Sequence, residues 1–347
     1  MAVIDLFRPE DRPALIALYR RVFGNDAADG WQLRWDWQFR RNPSTPPSGP
    51  LIWVAREGPA LVGHCATMPV RLAVLGEEID ASWGIDVMVA PERRRQGLGE
   101  ILFGTWNKSV GAALGLGPSE SSAALFQKLR WPSAGPVPSL VKPLTRRALR
   151  RATWPAGLNR LVSALAYPIV QVLARARPLS GETVLTRHFD EGFTRLWERV
   201  SPKLDLAVRR DARYLQWRFI APPHVRYSVA VFLRSGLPAG YVVYRHAQEA
   251  RSRVTLLVDF LTDPDDPEAF LTLARWVDRE ARANDSDKIR CYCLHAGFRK
   301  LLRQSGYFQT KSTLALVARI NAVRVPDGFC RKAERWHVTL GDSDQDH

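Results

Sequence analysis

IDVMVAPERRRQGLGEILF, residues 85 to 103, is the stretch whose reading decides the fold. Ile85, Val87 and Val89 alternate as a strand does, Pro91 ends the run, and Ile101, Leu102 and Phe103 open an apolar helical pattern. Between them lie Arg93, Arg94 and Arg95 and the glycines Gly97 and Gly99. A strand, a basic glycine-containing turn and a helix in that order make a seat for a diphosphate. The first amides of a helix have no intrahelical acceptor, the helix dipole adds partial positive charge there, and glycine lets a phosphate approach the backbone without a Cβ in the way.

Outward from this loop, apolar runs at Val3 to Phe7, Leu51 to Ala55 and Leu61 to Met68 predict further strands. Pro9-Glu10-Asp11 introduces Leu15, Leu18, Tyr19 and Val22 at helical spacing, so an amphipathic helix follows the first strand. The fold class is therefore mixed α/β, with a mixed sheet.

The second part of the chain repeats the first. Trp37-Gln38-Phe39 is matched by Trp217-Arg218-Phe219, 180 residues on. Leu61-Val62-Gly63 is matched by Ala239-Gly240, and Asp86 with Pro91 by Asp259 with Pro264, five residues apart in each copy. Leu125 to Trp131 corresponds to Leu301 to Tyr307. These matches predict two domains in tandem: residues 1–143 with the diphosphate loop, a linker 144–180, a second domain 181–325 and a tail 326–347. In the second copy the loop reads Asp263-Pro264-Asp265-Asp266-Pro267, acidic and without glycine, which would repel a diphosphate.

Val89-x-Pro91-x-x-Arg94-x-x-Gly97-x-Gly99 resembles the acyl-CoA signature of the Gcn5-related N-acetyltransferase (GNAT) superfamily, over roughly residues 1–143. The resemblance implies two GNAT-like domains of which the second is degenerate, and an acyl-CoA-dependent N-acyltransferase using acetyl-CoA or another acyl-CoA and no metal. It implies that the backbone of Arg95, Gln96, Gly97, Leu98, Gly99 and Glu100 cradles the CoA pyrophosphate, with Arg94 adding charge. Val87, Met88 and Val89 would pair with the pantetheine arm, and an amide near Met88 or Val89 would polarise the thioester carbonyl. Ser119 replaces the family's usual Asn, and Phe126 stands where a Tyr often protonates the departing thiolate; the thiolate can take its proton from water instead.

Aminolysis of a thioester needs a deprotonated amine, and a carboxylate or His supplies the base. Asp86, three residues before Val89, is the first candidate, although its repeat as Asp259 allows a structural role in both copies. His64 is the second candidate. Glu77, Glu78 and Asp80 read as a solvated polar turn, and Trp35, Trp37 and Trp83 as core.

The formal charge is +15, and its excess is concentrated: Ser121 to Gly181 hold ten Lys or Arg and no acid. Within this stretch Leu161 to Ala174 is apolar but, at fourteen residues with a Pro, too short to span a bilayer, which takes about 20. Residues 142–178 suit either an anionic membrane surface or packing between domains. The acidic, signal-free start Met1 to Asp11 predicts a cytoplasmic, at most membrane-peripheral, protein, and Cys65, Cys291, Cys293 and Cys330 read as reduced thiols. The leading function is acyl transfer, most simply acetyl, to a small-molecule or lipid-linked amine such as a cell-envelope or polysaccharide precursor. Two other classes stay open: an aminoacyl-tRNA-dependent ligase of the peptidoglycan-bridge type, against which the retained CoA loop and the few aromatics among the basic residues count, and a non-catalytic acyl-CoA sensor. Nucleic acid is accordingly the weaker partner.

Overall fold

The computed structural model describes residues 2–149, 157–158, 161, 164–165, 181–249 and 252–345. Most of the stretch 142–178, including the apolar run from Leu161 read as membrane-facing, lies outside them. No helix among the described residues is long and apolar enough to cross a membrane.

The first part runs β1 (Val3–Leu6), α1 (Arg12–Phe23), α2 (Asn25–Trp35), β2 (Ile52–Glu57), β3 (Ala60–Val74), β4 (Glu77–Val89), α3 (Leu98–Ser109), β5 (Ala112–Leu116), α4 (Glu120–Lys128), β6 (Ser133–Pro136) and β7 (Ser139–Pro143). The second runs β8 (Glu182–Thr186), α5 (Glu191–Val200), β9 (Leu206–Val208), α6 (Ala212–Leu215), β10 (Ser228–Arg234), β11 (Leu237–Glu249), β12 (Ser252–Thr262), α7 (Pro267–Ala283), β13 (Lys288–Tyr292), α8 (Ala296–Gln304), β14 (Phe308–Thr310) and β15 (Ala315–Ile320), and β16 (Trp336–His337) follows. Among the described residues the strands form two sheets, ordered β1-β2-β3-β4-β5-β15-β6 and β8-β10-β11-β12-β13-β7-β14. Position by position the two orders correspond, with one reciprocal exchange: β15 of the second part fills the gap between β5 and β6, and β7 of the first part fills the gap between β13 and β14.

The exchange corrects the expected boundaries. Residues 139–143 belong to the second sheet and 315–320 to the first, so cuts at 143 and 325 each separate a strand from its own sheet. Nor do residues 326–345 hang free. β16 pairs in parallel with β9, which itself pairs with β3, and Trp336, His337 and Thr339 to Ser343 are buried. The larger apolar core runs across both halves, from Leu15 and Trp31 through Trp37 and Trp217 to Phe193, Leu316 and Trp336, while a second, smaller cluster with Phe232, Phe260, Phe270 and Phe298 packs within the second half; the shared core ties the halves together where independent domains would each keep their own.

At the centre of that core the repeat becomes a local two-fold relation. Trp37 and Trp217 each lie in a single π-helical turn, Asp36–Arg40 and Gln216–Ile220, and their rings stack at 5.2 Å and 18°. Each indole N–H donates to the other's backbone carbonyl at 2.8 Å. An identical bond in both directions satisfies two buried donors that would otherwise be costly.

The polar residues after β3 are strand, not loop. Leu75 and Gly76 both take positive φ, 51° and 88°, as a two-residue hairpin turn requires, and β4 begins at once at Glu77. Glu78, expected to be solvated, accepts from Arg209 at 2.8 Å and from the Trp197 indole at 3.3 Å, tying the two halves together, while Asp80 pairs with Arg71. All four cysteines are free and buried, and burial pushes the Cys65, Cys291 and Cys330 thiols up and that of Cys293 to about 12, which keeps them protonated.

Candidate active site

The diphosphate loop has the geometry its sequence asks for. Gly97 caps α3 at φ +81°, a left-handed conformation that disfavours side chains, and Arg95 just before it has φ +62°. Glu100 and Ile101 are the first α3 amides to find a helical acceptor, both on the Gly97 carbonyl, which leaves the amides ahead of them directed out of the helix end. A Cβ added at Gly97 would meet none of the described residues within 4 Å, so they leave the space in front of the loop open. This end of α3 lines a cleft of about 660 Å³ with Val87, Met88, Val89, Arg93, Arg94, Arg95, Leu98, Gly99 and Glu100, and α4 and its N-cap supply Ser122, Lys128 and Ser119 to it. Of the residues expected there, Gln96 does not line the cleft: its side-chain amide is turned back to the Glu92 carbonyl. Arg94 Nε donates to Val89 O at 3.2 Å, which fixes the turn against the end of β4, and Arg93 pairs with Glu57 at 2.5 Å.

A bulge in β4 opens the way inward. Cα pairing with β3 steps from His64–Met88 to Ala66–Ile85, so β4 carries one extra residue here, and Asp86 takes φ +45°. β4 pairs with β5 only over Ala81 to Trp83, after which β5 continues beside β15. The two strands thus part beside Val87 and Val89. Ala90 N–H is used by Val62 O, so by strand alternation Val89, not Met88, directs its N–H toward the open edge.

Behind the bulge lies a second cavity of about 270 Å³, sharing Phe23, Val87, Phe103, Ser119 and Ser122 with the cleft. Asp86 opens onto it, and the Tyr19 hydroxyl donates to Asp86 Oδ1 at 2.9 Å. Burial and the Asp86 charge hold the Tyr19 phenol well above its usual range, so it stays a donor. Phe126, placed by the resemblance among the cofactor residues, lines this inner cavity instead of the cleft; its ring packs edge-on to Phe103 at 4.8 Å and offers no proton.

His64 does not reach either space. It is wholly buried against Trp31, at 6.2 Å between rings, and burial drives it to about 3, against a weak opposing pull from the Asp86 backbone. A neutral, sealed imidazole with so low a pKa is a poor base, which removes His64 as a candidate. The inner cavity has contributors that sequence reading missed: Phe23 and Trp106, each hidden in an ordinary amphipathic helix, and Asp344 and Gln345, some 260 residues from Asp86. No local pattern announces residues that arrive by a chain crossing.

The matching position in the second half is built differently. β12 is bulged too, with Val258 extra, but Asp259 is buried and accepts from Arg210, Tyr241 and Thr339. The carbonyl of Phe260 is taken by the His337 Nε2 N–H at 3.0 Å, and the N-terminus of α7 is capped by its own Asp266, which accepts from Ala269 N–H. Arg234 and Lys203 are engaged by Asp263, Asp265, Asp266 and Glu268. A cavity of about 530 Å³ does stand at this end of α7, but Asp263, Asp265 and Asp266 line it, and their carboxylates oppose a diphosphate. Among the described residues no group of His, Cys, Asp or Glu is arranged to hold a metal ion.

Cleft, bulge and sheet order together define an acyl-CoA N-acyltransferase fold of the GNAT class. Residues 4–107 match the family model of the acetyltransferase (GNAT) domain, and the chain carries that domain. Among solved structures it is similar to a probable N-acyltransferase from Enterococcus faecalis, at 12% identity over 93% of this chain and 73% of that one, TM-score 0.62. It is also similar to N-myristoyltransferase from Saccharomyces cerevisiae with bound myristoyl-CoA, at 13% over 91% and 82%, TM-score 0.56. A third is a GCN5-related N-acetyltransferase from Anabaena variabilis, at 13% over 92% and 73%, TM-score 0.54. At these identities the structural likeness speaks for the fold. No curated protein matches the sequence.

Proposed function

We propose that this protein transfers an acyl group, acetyl in the simplest case, from acyl-CoA bound in the α3 cleft to an amine admitted to the inner cavity, with Asp86 as the base. The observation that carries this reading is the junction of the two spaces at the β4 bulge. The loop that suits a pyrophosphate and the carboxylate that suits an amine lie on opposite sides of Val87 to Val89. The Val89 amide is directed to the side where a thioester carbonyl would gain negative charge during attack. In the step itself the amine nitrogen bonds to the thioester carbon, Asp86 takes the nitrogen's proton, the C–S bond breaks, and the CoA thiolate takes a proton from water. Phe126 leaves that last proton to solvent.

Asp86→Asn keeps the size of the side chain and an oxygen for the Tyr19 hydroxyl but cannot take a proton. It should lower kcat about 100-fold, within the usual range for a general base, while acetyl-CoA affinity stays unchanged. Acceptor-dependent release of free thiol measures this; an unchanged kcat would remove Asp86 from the chemistry.

A narrower reading, an envelope-precursor acceptor presented at an anionic membrane surface, is supported by the basic, apolar composition of 142–178. In liposome flotation it predicts recovery of the protein with anionic vesicles and not with neutral ones. Protein left in the soluble fraction with both vesicle types would end it.

A further inference from the structure

The segment from Trp336 to Gln345 is a strap that starts on one half and ends in the cavity of the other. Its first part is held firmly by the second half. His337 donates to Phe260 O, Thr339 Oγ1 donates to Asp259 Oδ1 at 2.7 Å, and Asp342 accepts from Arg210 at 2.8 Å and from Thr339 N–H at 2.7 Å. Arg218 donates to Ser343 O at 2.7 Å. The fit is close enough that a Cβ on Gly341 would come within 2.9 Å of the Phe219 ring. The next two residues, Asp344 and Gln345, leave this anchorage and line the inner cavity of the first half with Asp86. Gln345 lies over Gly117 at the end of β5, where an added Cβ would be 2.6 Å from its Oε1. Asp344 Oδ1 accepts from Ser343 and Gln345, both neutral donors. Tyr19, bonded to Asp86, also lies in the field of Asp344, with Arg34 opposing the two carboxylates.

We propose that the second half, having lost a cofactor loop, serves as the anchor of this strap, and that Asp344 selects an acceptor carrying a second cationic nitrogen. The inference rests on the acyl-transfer reading for the identity of the cavity. Its reasoning is chemical. One carboxylate, Asp86, has to accept a proton from the reacting amine and so cannot stay as a fixed counter-ion. A second carboxylate in the same cavity, with no part in that proton transfer, is free to hold another ammonium throughout. The buried Asp259, the counterpart of Asp86, then has a function of its own: with Arg210 it grips Thr339 and Asp342 and thereby sets where Asp344 falls.

The test is direct titration of 1,4-diaminobutane and of butylamine into the full-length protein, with and without CoA, alongside titration of acetyl-CoA. The unaltered protein should bind the diamine at least about 10-fold more tightly than the monoamine, as one additional charge-assisted contact gives. Asp344→Asn should erase the difference, Asp344→Glu should restore most of it, and neither should change acetyl-CoA affinity. Asp342→Asn, and the milder Thr339→Val should it fold poorly, should also erase the difference, with melting temperature recorded to show that the chain is folded. A diamine preference that survives Asp344→Asn, or an unaltered protein that binds acetyl-CoA but neither amine, would overturn the proposal. A preference that survives both anchor variants would overturn the role given to the second half. Failure of acetyl-CoA to bind while the Asp344-dependent preference persists would sink the acyl-transfer reading and leave this one standing.

Discussion

Gly97→Val should cost about 100-fold or more in acetyl-CoA affinity while leaving the protein folded. Gly97 sits at φ +81°, where a β-branched residue is strained by about 1–3 kcal/mol, and relief of that strain means rotating the amides at the start of α3. Those amides are the feature of the loop best suited to a diphosphate, so the loss should appear in binding more than in stability. None of the described residues stands within 4 Å of the new Cβ, so internal collision with them does not confuse the result. Gly104→Ala, in the middle of the same helix and with equally open surroundings, is the control: it should raise stability by up to about 1 kcal/mol and leave affinity alone. Equal affinity of the Gly97 variant and the unaltered protein would mean that CoA does not use this helix end.

The second large effect belongs to the other half. Arg210 is almost fully buried and donates to both Asp259 and Asp342. Burial works against its charged form, yet the two carboxylates outweigh burial and hold the guanidinium well above its ordinary pKa. Arg210→Met removes the cation that joins Asp259 to Asp342 and leaves two carboxylates side by side in the core. The expected cost is about 3–5 kcal/mol, the range for breaking a buried ion pair from one side, and denaturant unfolding measures it. Because the same cluster grips Thr339 and Asp342, the variant should also lose whatever the strap contributes to the first half's cavity. A cost below about 1 kcal/mol would show that the cluster does not anchor the strap.

How far these features were legible in the sequence depends on whether they are local. Val89 to Gly99 could be read because strand, turn and helix N-terminus are contiguous, and each residue's role follows from backbone conformation. The repeat of Trp37 at Trp217 was visible as spacing, but not that the two rings would stack on each other, since a one-dimensional match carries no information about contact. The boundaries at 143 and 325 miss the exchange of strands 139–143 and 315–320 for a related reason. Which sheet a strand joins is settled by packing across the two-fold relation, and a linear repeat does not carry that information. His64 was misjudged because an imidazole in an apolar strand reads the same whether it faces a cavity or Trp31. Asp86 and Asp259 looked alike in sequence and differ in the fold: the first opens onto a cavity, and the second is locked to Arg210 and Thr339. Asp344 was beyond reach altogether, because it enters the site only through the anchorage of Trp336 to Ser343.

The most direct measurement is a calorimetric titration of the unaltered, full-length protein with acetyl-CoA. The account predicts saturation at a single molecule per chain, weakened about 100-fold or more by Gly97→Val and untouched by substitutions at Asp263 or Asp265 in the corresponding loop of the second half. Saturation at two molecules per chain, or binding that follows the Asp263 and Asp265 variants and ignores Gly97, would contradict it.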